Sequence, residues 1–417
     1  MTDKITEAVA AEMWRDTEAR ILSGDPEPVE PFDLPRLSGQ PAFPEPGIYF
    51  GMSEDDYHAV PAGSTSGLKR MGVSSMNFWA DSWLNQDREE EDEKQHFSLG
   101  KAIHCLVLEG PEAYAERFAA DLDKADYVDE IGKSLLLETT HQIKARIVDF
   151  GSKPTTKGYD DATRPARKED WIAQLLDLEP DALIWEQMLA RHRAENEGAQ
   201  FITAKTDRRV RIAAKMILAH PEIGKAMDGG YGEVSIFWHC KATGLPMKAR
   251  FDKLKMRLIA DIKSFANQGG KPIDRAITTA IASYRYNMQH VIYLEAAEAA
   301  KAMIRERGAA CITVTPFCEV DEGERQVEWA KKWATQPEPA FLFVFQQTGS
   351  APVTRGKLMP KGTLYSVTKS RVDEMKRRVI ECAKAYGIDP WLDIEPVETL
   401  LDEEIPSYAT DIGRLAI

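Results

Sequence analysis

In the stretch RFDKLKMRLIADIKS three charged side chains stand at a spacing that brings them together: Asp252, then Asp261 and Lys263. The segments MKARFDKLK (247–255) and LIADIKS (258–264) are short, rich in β-branched or aromatic residues and separated by a tight Met256-Arg257 step, the pattern of adjacent antiparallel strands. Residues two apart on a strand share a face, so Asp261 and Lys263 point the same way and the hairpin partner brings Asp252 beside them. Two carboxylates suit a hard divalent cation such as Mg2+, which keeps several waters and binds phosphate oxygens. An ammonium beside them orients an attacking water or offsets negative charge developing on the phosphorus oxygens. The chemistry is metal-dependent hydrolysis of a phosphodiester. An isolated D-x-K also arises on surface strands of alternating charge, so the reading depends on the motifs around it.

These side chains need elements to hold them. EVSIFWHC (233–240), joined to the pair by the turn-like ATGLP, completes a β-meander, and AFLFVFQQ (340–347) reads as a further, fully buried strand. Upstream, Ser64, Thr65 and Ser66 are good N-cap types ahead of apolar residues at helical spacing. FSLGKAIHCLVLEG places Leu99, Ile103, Leu106 and Val107 near one another on a helix that stops at Gly110-Pro111, with His104 in its middle. Further helices are expected over about 200–226, 273–307 and 365–387. Strands grouped in the middle with helices before and after predict an α/β (α+β) core, a mixed central β-sheet flanked by helices. Residues 1–46, rich in Pro and acids, predict a mobile leader, with the folded domain over 47–390. The stretch 120–195 is polar and less regular, an insertion, and 391–417 forms a C-terminal tail.

The order of the motifs resembles the PD-(D/E)xK nuclease superfamily, within it the RecB-like and exodeoxyribonuclease VIII type. GKAIHCLVLE supplies Gly100, His104 and Glu109 at the spacing of that family's helical G-x-x-x-H-x-x-x-x-E element. KARFD, ending at Asp252, is similar to its G/K-x-R-x-D motif, DIK to its D/E-x-K motif, and QHVIY, with Gln289 and Tyr293, to a later Q-x-x-x-Y. Tyr57, His58, Ser64, Ser66, Leu68 and Lys69 are similar to an early segment of the exodeoxyribonuclease VIII type, so the matching segments span about 47–300.

The resemblance implies a restriction-endonuclease-like core with the active site at the sheet's edge, near the end of the His104 helix. It implies a metal ligand set of His104, Asp252, Asp261 and the backbone carbonyl of Ile262, holding Mg2+, or Mn2+, which imidazole makes credible. Glu109 would support the ligands from behind, and Gln289 and Tyr293, one helical turn apart, would touch DNA or hold Lys263. Arg285 and Lys271 are candidate phosphate contacts. The implied activity is digestion of linear double-stranded DNA from its ends, 5′ to 3′, by a homo-oligomer, leaving a 3′ single strand for an annealing protein in phage recombination. A structure-selective or defence endonuclease of the same superfamily, and an inactive DNA-binding recombination scaffold, are the other readings.

The net charge of −14 opposes DNA binding until it is divided along the chain. Residues 1–56 hold 13 acids and 4 bases, and 87–94 hold 6 acids and 2 bases, so two short segments carry −13. Residues 239–301 hold 11 bases and 5 acids, a local +6, and local basic surface is what phosphate contacts require. Five scattered cysteines without a CxxC pair predict reduced thiols. No apolar run reaches membrane-spanning length and the first residues carry acids rather than a signal-type run, so a cytoplasmic protein is expected. Neither a P-loop nor a Gly-x-Ser-x-Gly elbow is present, which argues against autonomous ATP hydrolysis and serine nucleophile chemistry.

Overall fold

The computed structural model describes residues 29–88, 95–267, 270–315, 320–349 and 351–393, with 401 and 404. The first part of the expected leader, the acidic run from Glu89 to Lys94, Cys318 and most of the expected tail lie outside the described residues. Among the described residues nine strands occur in chain order: β1 (Gly47–Phe50), β2 (Phe118–Ala120), β3 (Gln200–Ile202), β4 (Tyr231–His239), β5 (Pro246–Lys255), β6 (Leu258–Phe265), β7 (Ile312–Val314), β8 (Ala340–Gln347) and β9 (Thr354–Leu358). The five longest helices are α1 (Gln95–Leu108), α2 (Ala204–Ala219), α3 (Tyr286–Arg307), α4 (Val320–Ala334) and α5 (Thr363–Tyr386).

Seven strands form one mixed sheet in the order β7-β1-β4-β5-β6-β8-β9, and β2 and β3 pair separately. The meander β4-β5-β6 is antiparallel, β6 pairs with β8 in parallel, and β1 bridges β4 and β7. The turn between β4 and β5 needs a glycine: Gly244 has φ +73°, and a Cβ there would lie 2.2 Å from the carbonyl oxygen of Glu30.

The two faces of the sheet are set by alternation. In β8, Phe341, Phe343 and Phe345 point into the main core with Ile259 of β6 and Val291, Ile292 and Ala296 of α3. Leu342 and Val344 point the other way with Ala260 and Ile262, against Leu99, Ala102 and Ile103 of α1 and Val210, Ala213 and Ile217 of α2. Both faces of the central strands are thus covered by helices, which is why the run AFLFVFQQ lacks a polar side.

Several expectations change. The segment 273–307 is two helices, Ile273–Ser283 and α3, broken where Arg285 takes a left-handed φ of 51°. Apolar spacing does not register the break because Ile277 before it and Met288 after it bury in the same core. The helix expected over 200–226 opens as β3, starts at Ala204 under a Thr203 cap, and ends before Pro221, whose ring and missing N–H disfavour continuation; a short helix, Ile223–Met227, follows. Residues 29–46 do not behave as a mobile leader. Leu34 is buried in the main core, and Trp83 Nε1 donates to Pro35 O at 3.0 Å. Likewise Trp391, at the start of the expected tail, is buried and stacks on Phe78 with ring centroids 4.9 Å apart. No helix among the described residues is long and apolar enough to cross a membrane.

The polar stretch 120–195 hides a small core of its own. Helices Thr140–Asp149, Lys168–Leu178 and Trp185–Glu195 follow one another, and Ile143, Ile147, Ile172, Leu175 and Ile184 form a separate apolar cluster. The loop before the second helix is gathered by Asp170, which accepts from Arg164 Nη1 and Nη2 at 2.6 and 2.8 Å and from the backbone N–H of Tyr159 and Arg167 at 2.7 and 2.6 Å. Arg164, and then the Arg167 amide, hold this carboxyl below its ordinary value. A depressed folded-state pKa contributes stability that is present above the unfolded value and lost as pH falls through the folded one. Asp170→Ala should therefore raise hydrogen exchange at the Tyr159 and Arg167 amides by roughly tenfold while leaving exchange in β5 and β6 unchanged. Acidification of the unsubstituted protein should loosen the same two amides.

Candidate metal centre

The centre forms where the ladder between β5 and β6 stops. Pairing runs from Lys255↔Leu258 to Lys253↔Ala260, so Asp252 and Asp261 face each other one step beyond it. There Asp252 Oδ2 accepts the backbone N–H of Ile262 at 2.7 Å, a carboxylate standing where a strand carbonyl would otherwise be. The site therefore sits in the middle of the seven-stranded sheet, on its third and fourth inner strands, and not at the edge. The outer strands that displace it inward, β1, β7 and β9, are too short to be read from periodicity.

His104 is brought in by α1, whose buried Leu99, Ala102, Ile103 and Cys105 seat the helix on the sheet. Close approach is possible at Gly100, where an added Cβ would lie 3.1 Å from Ser264 Oγ. The imidazole Nε2 lies 2.9 Å from the Ile262 carbonyl oxygen, and Nδ1 lies 3.6 Å from Asp252 Oδ2. Because a carbonyl only accepts, Nε2 carries the hydrogen and Nδ1 presents its lone pair. Burial, reinforced by the Lys263 ammonium, holds His104 below the ordinary imidazole pKa and favours this neutral form.

Asp261 is fully buried. Gln289 Nε2 donates to its Oδ1 at 2.5 Å, and Lys263 Nζ lies 2.6 Å from its Oδ2. The Lys263 ammonium is thus the charged partner of Asp261 Oδ2, and the Gln289 amide the partner of Oδ1. Burial and then the Asp261 charge push Asp252 above the carboxylate range. Burial pulls Lys263 down, but Asp261 and Asp252 outweigh it and the net shift is upward, which favours the charged ammonium. Lys69 and Lys263 both lie over the ring of Tyr286, at 5.0 and 5.5 Å from its centroid. Burial, and then Lys263, bring Lys69 down to about 8.

One acid at the centre went unread in the sequence. Gly232 pairs with Lys253 and Val234 with Phe251, which sets Glu233 opposite Asp252. His104, Glu233 and Asp252 each place one ligand atom within 4.8 Å of the others. Arg250, two residues before Asp252, has its Nε on Glu233 Oε2, with Nη1 donating to Met52 O at 2.7 Å and Ser235 Oγ at 3.2 Å. The signal was an acid next to a strand glycine, legible only once the β4–β5 register is known.

The remaining expected residues fall in different places. Glu109 receives Arg117 on both oxygens at 2.7 and 2.6 Å, so it braces the end of α1 and not the ligands. Gln289 holds Asp261 instead of Lys263, and Tyr293 donates to the Arg250 carbonyl at 2.6 Å. Both sit on α3, and both orient the strands behind the carboxylates. Arg285 Nη1 donates to Lys69 O at 3.1 Å, tying the helix Thr65–Met71 beside the centre. Lys271 is exposed in the loop after β6, its backbone bonded to Asn267.

The donor set fits a divalent cation. A neutral imidazole nitrogen and the carboxylates of Glu233 and Asp252 lie within 4.8 Å of one another, with Asp261 facing Asp252, and two cations, Lys263 and Arg250, stand against these three acids. A second grouping of ligand types, Cys240, Glu295 and Asp373, is different: Lys376 Nζ fills it, 2.5 Å from Glu295 Oε2, 3.3 Å from Asp373 Oδ1 and 3.5 Å from Cys240 Sγ.

A family described as a PDDEXK-like domain of unknown function (DUF3799) matches residues 186–313, the span that contains β4, β5, β6 and α3. Over residues 186–313 the chain is thus similar to PDDEXK-like domains, of the PD-(D/E)xK nuclease superfamily. No curated protein matches the chain. Among solved structures it is similar to one described as a "Putative exonuclease" from Eubacterium rectale, at 10% identity and a TM-score of 0.41, over 80% of this chain and 86% of that one.

The seating of α1 is open to test. Gly100→Leu should lower stability by about 1–3 kcal/mol in chemical denaturation, because the added carbons meet Ser264 and β6 cannot yield without disturbing Lys263.

Proposed function

We propose that this protein is a metal-dependent DNA nuclease, and that its reaction is exonucleolytic hydrolysis of linear double-stranded DNA. The observation that carries the reading is the convergence of Asp252, Asp261 and His104 around the charged Lys263. Asp252 and His104, together with Asp261, would hold Mg2+ or Mn2+. Such an ion activates a water and polarises the phosphoryl oxygens. Lys263, kept protonated by Asp261, meets the negative charge that develops on those oxygens. Gln289 fixes the Asp261 carboxylate, so that the ammonium is aimed without having to reorganise during the reaction.

Basic groups would serve substrate approach: Lys69 shares the Tyr286 ring with Lys263, Arg285 is bonded to the Lys69 carbonyl, and Lys271 is exposed in the loop after β6, within a 239–301 window of 11 bases against 5 acids in a chain that is acidic overall. Degradation from 5′ ends, delivery of a 3′ single strand to an annealing protein, assembly as a homo-oligomer and a cytoplasmic recombination setting extend this proposal from the resemblance in the motifs.

The test is digestion of 5′-labelled and 3′-labelled linear duplexes beside a covalently closed circle, in Mg2+ and in EDTA. Linear DNA alone should be degraded, the 5′ label should be released first, and EDTA should stop the reaction. Lys263→Ala should slow it by about 100–1000-fold with DNA binding retained. Cutting of the circle would replace the exonuclease with an endonuclease, and DNA binding without cleavage in Mg2+ or Mn2+ would leave only a binding scaffold.

A further inference from the structure

Resting on the metal-dependent reading of the centre, we propose that Glu233 is a ligand of the metal ion, which it shares with His104 Nδ1 and Asp252. The site then takes a divalent cation on the His104 side of Asp252. The Ile262 carbonyl is not a ligand but the group that orients the imidazole.

His104 supplies the first part of the argument. Its Nε2–H is committed to the Ile262 carbonyl at 2.9 Å, the arrangement by which a metal-binding imidazole is commonly held, with one nitrogen tied to the backbone and the other free for the ion. The free nitrogen, Nδ1, stands 3.6 Å from Asp252 Oδ2, too far for a hydrogen bond, so its lone pair faces a carboxyl oxygen across a gap that no direct hydrogen bond spans. A cation between the two atoms spans it. Two ligands bound at about 2.0–2.2 Å to one ion are separated by at most about 4.4 Å, so the 4.8 Å within which His104, Glu233 and Asp252 already lie closes with a shift of a few tenths of an ångström.

Glu233 is held for this role. Arg250 Nε binds one of its oxygens while Nη1 is anchored on Met52 O and Ser235 Oγ, so the carboxylate is fixed across the strand from Asp252. Its backbone has φ 53°, a left-handed conformation that a residue with a side chain rarely adopts. Asp261, engaged by Gln289 and Lys263, lies outside this three-residue group, so Glu233 is a ligand in addition to it and not in its place.

Mn2+ binding to the full-length protein, followed by loss of the free-ion paramagnetic resonance signal, separates the possibilities. Glu233→Gln keeps the shape and a hydrogen-bond acceptor for Arg250, and should weaken Mn2+ at least tenfold with an unchanged unfolding midpoint. Glu233→Asp should restore part of the affinity. On Mg2+ titration of the unsubstituted protein, the 15N shift of His104 Nδ1 should move while Nε2 stays protonated. Equal Mn2+ affinity in the unsubstituted protein and Glu233→Gln would overturn the assignment of Glu233 while leaving the nuclease reading intact. Movement of Nε2 in place of Nδ1 would overturn it as well. An unsubstituted protein that binds no Mn2+ would remove the metal-dependent reading itself, and the Glu233 assignment with it.

Discussion

Two buried carboxylates facing each other across the end of a β-ladder are the constraint to which the rest of the core answers. Asp252 and Asp261 are nine-tenths or more buried, and like charges so placed cannot both remain ionised without compensation. The compensation comes from every neighbouring element. β6 supplies the Lys263 ammonium and the Ile262 amide, α3 the Gln289 amide, and β5 Arg250, which neutralises the adjacent Glu233. What they leave is a deficit of positive charge beside a neutral imidazole, and a cation is the economical way to meet it. Burial of Asp252 and Asp261 lowers the local dielectric, so each interaction is stronger than at a surface.

That constraint also explains the course of α3. Its buried residues include Gln289, which holds Asp261, and Tyr293, which fastens the Arg250 carbonyl, while Val291, Ile292 and Ala296 pack against the sheet. A single helix thereby fixes the spacing of β5 and β6 from behind. Arg285, at the left-handed break before it, ties the Lys69 helix to the same corner.

Much of this was legible in the sequence. The short runs rich in β-branched and aromatic residues at 233–240, 247–255 and 258–264, with turn-like steps between them, located the meander, and with it the shared face of Asp261 and Lys263, because strand geometry dictates that residues two apart share a face. The mixed sheet followed from the grouping of strands. What escaped depended on longer-range register. Glu233 meets Asp252 only through the pairing of β4 with β5, and the four- and three-residue strands β1 and β7 carry no periodicity to show that the site is central. Glu109 had the right spacing in the chain, but five residues turn it away from His104, and Arg117 captures it. In the insertion, five buried aliphatic residues among polar neighbours were too sparse to announce a core.

The most direct test of a cation-dependent centre is an anomalous difference map from crystals soaked in Mn2+. The account predicts a peak about 2.0–2.2 Å from a carboxylate oxygen of Asp252, within reach of His104 Nδ1. An ordered Asp252 and His104 with no peak between them at saturating Mn2+ would contradict it.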